Sequence, residues 1–251
     1  MSGHSKWSTI KRKKAANDAK RGALFTRLAR EIAMAAREGG PDTDTNFGLR
    51  LAIDRAKNNN MPKGNIERAI NRGTGKEKEG AALEQIYYEG YAPHGVALVI
   101  DVVTDNRNRA VADIRHVLNR AGGTLADAGS VSWQFRRAAY FSFPTEGYDP
   151  ENIFEIAVEA GADDVILGDD DIEIIAPVEA FKEVNDQLKV AGIQPDEAVL
   201  RMIPNSVVEL PADQSVKVMN IIEQLEDLDD VQQVFSNLEI TEAAVFLLEA
   251  A

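Results

Sequence analysis

Hydrophobic positions along the chain change their spacing part-way, and the change marks a change of architecture. From Asn17 to Glu38 the apolar residues Leu24, Leu28 and Ile32 recur every fourth position, with Phe25, Ala29 and Ala36 alongside, which predicts one long amphipathic helix. Gly39-Gly40-Pro41 ends it as a glycine cap followed by proline should. A second helix, capped by Thr45 or Asn46, carries Phe47, Leu51, Ile53 and Ala56 and stops at Asn58-Asn59-Asn60. Pro62 sits where a third helix begins, and Ile66, Ala69 and Ile70 give it a buried edge before Gly73. Thr74–Gly80, with two glycines and alternating Lys and Glu, reads as a linker.

Beyond the linker the period falls to two. Gln85–Tyr91 and Val96–Thr104 are predicted strands around the turn Ala92-Pro93-His94-Gly95, followed by a helix over Asn108–Ala121 and a strand over Ser130–Phe135. Next come a strand (Ala139–Phe143), a helix (Pro150–Ala160), a hairpin (Asp164–Leu167 and Ile172–Ile175), a helix (Val178–Ala191) and a strand (Glu197–Ile203). That order, βαββαβ, is the ferredoxin-like unit. The remainder, Ser206–Leu210, Ser215–Leu225 and Val231–Phe235, reads strand–helix–strand and would complete the domain whose first half precedes it. The expected fold class is therefore multi-domain, α and α+β: an N-terminal three-helix bundle, then an α+β domain with a ferredoxin-like α+β domain inserted in it. The expected boundaries are 1–80 for the bundle with its arm and linker, 81–137 plus 205–251 for the split domain, and 138–204 for the insert.

Charge alters the picture more than composition does. The net charge of −13 over 251 residues hides a gradient. Residues 1–80 hold 18 Lys and Arg against 9 acids, 81–137 hold 6 against 6, and 138–251 hold 4 against 26. Screening acts over about 8 Å at physiological salt, so the acidic part does not cancel the field of the basic end. A basic end points to an anionic partner. The acidic part has two readings: a solvated surface that keeps the chain soluble, or a face suited to basic protein segments.

The sharpest local signal is the start. Lys6, Trp7, Lys11, Arg12, Lys13 and Lys14 precede the first acid, Asp18, and Lys20, Arg21, Arg27 and Arg30 continue the charge along the first helix. Cations on phosphates release condensed counterions, and Trp7 could stack on a base. A solvated arm with the tryptophan tucked onto the bundle is the plainer alternative. The second signal, Asn106-Arg107-Asn108-Arg109, falls between a strand end and a helix start, where free N–H groups and two guanidinium forks suit a phosphate. Simple capping by Asp105 or Asn106 with exposed arginines is its alternative. On the third helix, Asn65, Arg68, Asn71 and Arg72 are the residue types that read adenine and guanine edges in a groove.

Other chemistry fails on residue type. There is no cysteine, which excludes disulfides, thiolate metal sites and cysteine nucleophiles. Arg72-Gly73-Thr74-Gly75-Lys76 hints at a phosphate loop, but Glu77 stands where Ser or Thr should hold magnesium and no strand precedes it. Asp169-Asp170-Asp171 lacks the rest of a calcium loop. His94 and His116 have no nucleophile or acid partner in sequence. The expectation is a protein without catalytic residues, metal, cofactor or small-molecule substrate. No apolar run approaches a membrane span and no secretory h-region opens the chain, so a cytoplasmic protein without membrane partner is expected.

Several of these segments resemble the YebC family: Met1-Ser2-Gly3-His4-Ser5-Lys6-Trp7, the Asn46–Asn60 helix leading into Met61-Pro62, Tyr88-Glu89-Gly90-Tyr91, Thr104-Asp105-Asn106-Arg107-Asn108-Arg109 and Gly129-Ser130-Val131. The resemblance spans essentially the whole chain. It departs in Ala92, where glycine is usual, and Ala110, where threonine is usual. It implies a three-domain fold and a DNA-binding transcriptional regulator, the usual label. The mitochondrial branch, which includes the translational activator of cytochrome c oxidase subunit I, and bacterial relatives imply instead a factor on the ribosome that helps translation through stretches such as consecutive prolines. Either way the partner is nucleic acid, ribosomal RNA or duplex DNA. Carried onto this chain, Lys11–Lys14 and Asn106–Arg109 would be the contacts.

Overall fold

The structure is a computed structural model that describes Trp7, residues 18–76, 83–168 and 171–249. The chain separates into two compact units, one drawn from residues 12–130 and 220–234, the other from 1–11, 131–219 and 235–251.

In the first unit, helices α1 (Asp18–Gly39), α2 (Phe47–Asn58) and α3 (Lys63–Gly73) form the basic bundle. Its core is Leu28, Ile32, Ala36, Leu49, Ala52, Ile53, Ala56, Ile66 and Ala69. On α1 this is the stripe that the four-residue spacing predicts, whereas on α2 Leu49 and Ala52 take core positions and the expected Phe47 and Leu51 are half-buried. Asn46 pins the bundle together although only 7% of it is exposed. Its carboxamide oxygen accepts from the Leu49 amide at 3.0 Å, capping α2, while its Nδ2 donates to Ala35 O at 2.7 Å and Gly40 O at 2.8 Å at the end of α1. One side chain thus satisfies orphan groups of two helix ends. Small residues allow the α1–α3 approach: a Cβ on Gly73 would stand 2.2 Å from the carbonyl oxygen of Ala33.

The same unit holds β1 (Glu84–Tyr91), β2 (Ala97–Thr104), α4 (Arg107–Arg120) and β3 (Thr124–Ala126), and the sheet runs β3-β1-β2-β8, where β8 is Val231–Ser236. A strand from near the end of the chain therefore lies beside β2, and everything in between is threaded out and back. Tyr91 pairs with Ala97 across a tight turn in which His94 takes a left-handed φ of 66° before Gly95 at 79°.

In the second unit, β4 (Phe135–Pro144), α5 (Pro150–Glu159), β5 (Asp164–Leu167), β6 (Asp171–Ala176), α6 (Phe181–Val190) and β7 (Glu197–Pro204) build an antiparallel sheet ordered β5-β6-β4-β7. That is the ferredoxin-like arrangement predicted from the element order. Alternation sends Phe141 and Phe143 to the helix side, where Phe141 meets Phe181 at 4.8 Å, and Tyr140 to the other face, where the Arg201 guanidinium lies 4.3 Å over its ring. Burial there, with Glu173 nearby, pushes the Tyr140 phenol well above its ordinary pKa. Helix α7 (Ala212–Glu226) precedes β8, and α8 (Glu242–Glu249) follows it.

Two local expectations are corrected. Ser130–Phe135 is not a strand: Gly129 is left-handed (φ 88°), Ser130 N–H bonds Asp127 O and Gln134 N–H bonds Val131 O, so the chain turns before β4 starts. Ser206–Leu210 contributes one parallel bridge, Val208 to Leu238, rather than a strand. The short β3 and the helix α8 carry too little periodic signal to be found in sequence.

Candidate nucleic-acid interface

The structure divides the predicted cations into those bonded within the protein and those left to solvent. Arg30 belongs to the first group. It projects from α1 with only 14% of its side chain exposed, 3.1 Å from the Asp230 carboxylate, and also donates to the Asp229 carbonyl. Asp230 is itself buried, and its backbone carbonyl accepts from Val103 N–H at 2.9 Å. The same carboxylate takes two forked donors of Arg109, Nε at 3.1 Å and Nη2 at 2.8 Å. These hydrogen bonds, then those to Asp105, hold the Arg109 guanidinium further above its ordinary pKa. Arg37 donates to Leu83 O, and Ala33 and Met34 pack with Leu83 and Val103. Arg30 and Arg37 thus fasten the bundle to the sheet region, and Arg109 ties the start of α4 to the same Asp230.

The Asn106–Arg109 segment does cap α4, as its plainer alternative supposed. Asn106 Oδ1 accepts from Arg109 N–H at 3.1 Å, so its side chain is committed to the helix end. Arg107 bonds Glu84 through Nε at 2.7 Å and again through Nη2. Burial holds the nearby Tyr88 phenol above its ordinary pKa, against the lowering charge of Arg107 and with the raising charge of Glu84. Asn108 alone of the four is exposed with its side chain uncommitted. A hollow of about 340 Å³ beside this end of α4 is lined by Arg109 with Asp113, Asp227, Asp229 and Asp230. Four carboxylates against one guanidinium repel a phosphate. The two forks that suited a phosphate in sequence are therefore occupied by the protein's own acids.

On the bundle the forks of α3 are partly engaged as well. Arg68 is exposed, but its Nε reaches Gly64 O at 3.3 Å and its Nη2 bonds Asn65 Oδ1. Arg72 and Lys76 are exposed, Arg27 is half-buried, and none of the three has an ion pair among the described residues. Trp7 is 6% exposed, so its ring is in the interior and not offered to a base. Lys6, Lys11, Arg12, Lys13 and Lys14 lie outside the described residues, as do the side chains of Lys20 and Arg21. Part of the linker (77–80) and of the acidic tip (169–170) also lies outside them.

Two features escaped sequence reading. Asp230 is one of 41 acids, and nothing local marks it as the receptor of two distant arginines. No motif surrounds Arg115 and Arg120 on α4, so nothing in the sequence singles them out. Among the described residues no group of three or more His, Asp or Glu could hold a metal ion, and no helix is long and apolar enough to cross a membrane.

Comparison with known proteins covers the same ground. Residues 5–76 match a model described as the TACO1/YebC protein N-terminal domain, and residues 83–238 one described as the TACO1/YebC second and third domain. A "Probable transcriptional regulatory protein" of Chlorobium phaeobacteroides is 49% identical over the full length of both chains. One of the same name from Rubrobacter xylanophilus is 49% identical over 96% of this chain and 97% of its own. The crystal structure of a conserved hypothetical protein from Aquifex aeolicus, 44% identical, covers 90% of this chain and 93% of that one with a TM-score of 0.83. With both of its halves matched and its architecture shared, the chain belongs to the TACO1/YebC family.

Proposed function

We propose that this protein is a non-enzymatic, cytoplasmic, nucleic-acid-binding regulator of gene expression that works on the ribosome, contacting ribosomal RNA and helping synthesis through difficult sequences such as consecutive prolines. The observation that carries the reading is the distribution of cations: 18 of the chain's 28 Lys and Arg lie in residues 1–80. Lys6, Lys11, Arg12, Lys13 and Lys14 in the arm, Lys20, Arg21 and Arg27 on α1, and Arg68 and Arg72 on α3 form the proposed phosphate-binding set. The three domains proposed for it are the bundle (1–80), the split domain (81–137 plus 205–251) and the insert (138–204). The sheet order β3-β1-β2-β8 supports the split.

RNA is favoured over a DNA operator by the state of α3. Reading base edges in a major groove needs free bidentate forks, and Arg68 and Asn65 bond each other. With one of its two α3 forks turned to a neighbour on the same helix, a small cationic bundle suits recognition by shape and backbone better than reading of base edges. The second reading, a DNA-binding transcriptional regulator, is supported by the printed names of the relatives.

Sedimentation with ribosomes at about 150 mM salt against a large excess of duplex DNA separates the two, because non-specific phosphate binding is weak there. Co-sedimentation that survives the DNA is the expected result. Loss from ribosomes with retention on particular DNA fragments would overturn it. Replacing Lys11, Arg12, Lys13 and Lys14 by alanine should weaken binding and lower its salt slope by about one per lost duplex phosphate contact, somewhat less for single strands. An unchanged affinity and slope would dismiss the arm.

A further inference from the structure

Helix α4 is long enough to present two different surfaces. Its inward row, Ala110, Ile114 and Leu118, is buried. At its N-terminal end the outward arginines are bonded, Arg107 to Glu84 and Arg109 to Asp105 and Asp230. Two turns further on, Arg115, His116, Asn119 and Arg120 are all exposed, and neither arginine has an ion pair or hydrogen-bond partner among the described residues. They form two neighbouring rows of an α-helix, Arg115 with Asn119 and His116 with Arg120, each four residues apart. The span from Arg115 to Arg120 is about 7.5 Å along the axis. Asp113, the only carboxylate of the helix, pairs with neither and lines the acidic hollow instead.

In a chain with 41 acids and 28 basic residues, Arg115 and Arg120 stand together on one exposed face with no acid against either among the described residues. Most described arginines have found a carboxylate or a carbonyl. Arg120 has a local account, since a cation in the last turn compensates the helix dipole. Arg115, mid-helix, has none. Nor does apolar burial explain the face: it carries no large hydrophobic side chain, so it is not an unfilled protein–protein core. Exposed guanidinium forks beside an amide are the chemistry that engages phosphate and sugar oxygens of a nucleic-acid backbone.

We propose that the outer face of α4, Arg115, His116, Asn119 and Arg120, is a second contact surface for the nucleic-acid backbone, separate from the basic arm. The proposal rests on the nucleic-acid reading given above and adds a second region to it. It assigns the phosphate contacts of α4 to the half of the helix opposite the one that its arginine-rich motif marks.

The test measures fluorescence anisotropy of the full-length protein with a labelled duplex DNA and a labelled RNA hairpin, each of about 20 base pairs, from 50 to 200 mM salt, a range over which phosphate contacts register as slope. Arg115→Ala/Arg120→Ala should lower the salt slope by about two on duplex DNA, so that the wild type's advantage shrinks about tenfold between the two salt limits. Lys189→Ala on α6, which removes from the acidic unit one exposed cation that has no ion pair among the described residues, controls for the effect of each lost charge and should leave the slope unchanged. A slope for Arg115→Ala/Arg120→Ala equal to the wild type's, while the Lys11–Lys14 replacement loses its contacts, would overturn the α4 surface and leave the arm standing. A loss that Lys189→Ala matched charge for charge would also overturn it, as a bulk charge effect. Wild-type protein that bound neither probe and did not sediment with ribosomes would overturn the nucleic-acid reading itself, and this inference with it. Since all four side chains point to solvent, thermal melts of the variants should fall by no more than the small helix-end contribution of Arg120, and Arg115→Lys should keep most of the slope.

Discussion

The two halves of α4 contain the same kinds of residue and are put to different use. Arg107 and Arg109 at its start sit among Glu84, Asp105 and Asp230, and are bonded to them. Arg115 and Arg120 towards its end meet no acid among the described residues. Nothing in residue type separates these pairs. The lesson is that a cation's availability is set by what the fold brings against it, and that an arginine-rich motif at a helix start can be consumed by architecture. The contrast extends to α1, where Arg30 is fixed on Asp230 while Arg27, three residues earlier, carries no ion pair among the described residues.

Removing Asp230 attacks the bonded half most directly. Asp230→Ala leaves Arg30, 14% exposed, and Arg109 without their shared carboxylate, and should lower unfolding stability by about 2–4 kcal/mol. The check is a urea titration in which the midpoint falls and the slope does not. A midpoint within error of the wild type's would mean that the joint between bundle and sheet does not depend on this carboxylate. Arg30→Ala should cost less, about 1–3 kcal/mol, because Asp230 keeps its forked bonds to Arg109. If it cost more than Asp230→Ala, Arg30 would owe its place to packing along its stem and the Asp229 carbonyl. Arg107→Ala is the smallest of the three. Its pair with Glu84 is 65% and 47% exposed, and such pairs contribute less than about 1 kcal/mol. Nucleic-acid affinity and salt slope should be unchanged by it, in contrast to the Arg115→Ala/Arg120→Ala variant. A drop in slope for Arg107→Ala would return the arginine-rich turn to the interface and show that phosphate can displace Glu84.

What the sequence by itself determined is what local periodicity and residue type control. The helical stripe Leu28, Ile32, Ala36 became the bundle core, the stop at Gly39-Gly40-Pro41 ended α1, and the alternation around Phe141 and Tyr140 became a strand with two different faces. The ferredoxin-like order followed from the succession of elements. Weak local signals failed: Ser130–Phe135 has strand-forming residues, yet a left-handed glycine and two short-range hydrogen bonds turn it. The candidate site was legible only as a set of charges. Which of them are free was decided by the tertiary structure, because a salt bridge joins residues 200 or 121 positions apart, as Asp230 does with Arg30 and Arg109, and no spacing rule reaches that far. Trp7 shows the same limit, since an aromatic among lysines looks like a stacking group until burial removes it from solvent. Electrostatic partnership is a property of proximity in space, and the sequence encodes it only through the fold.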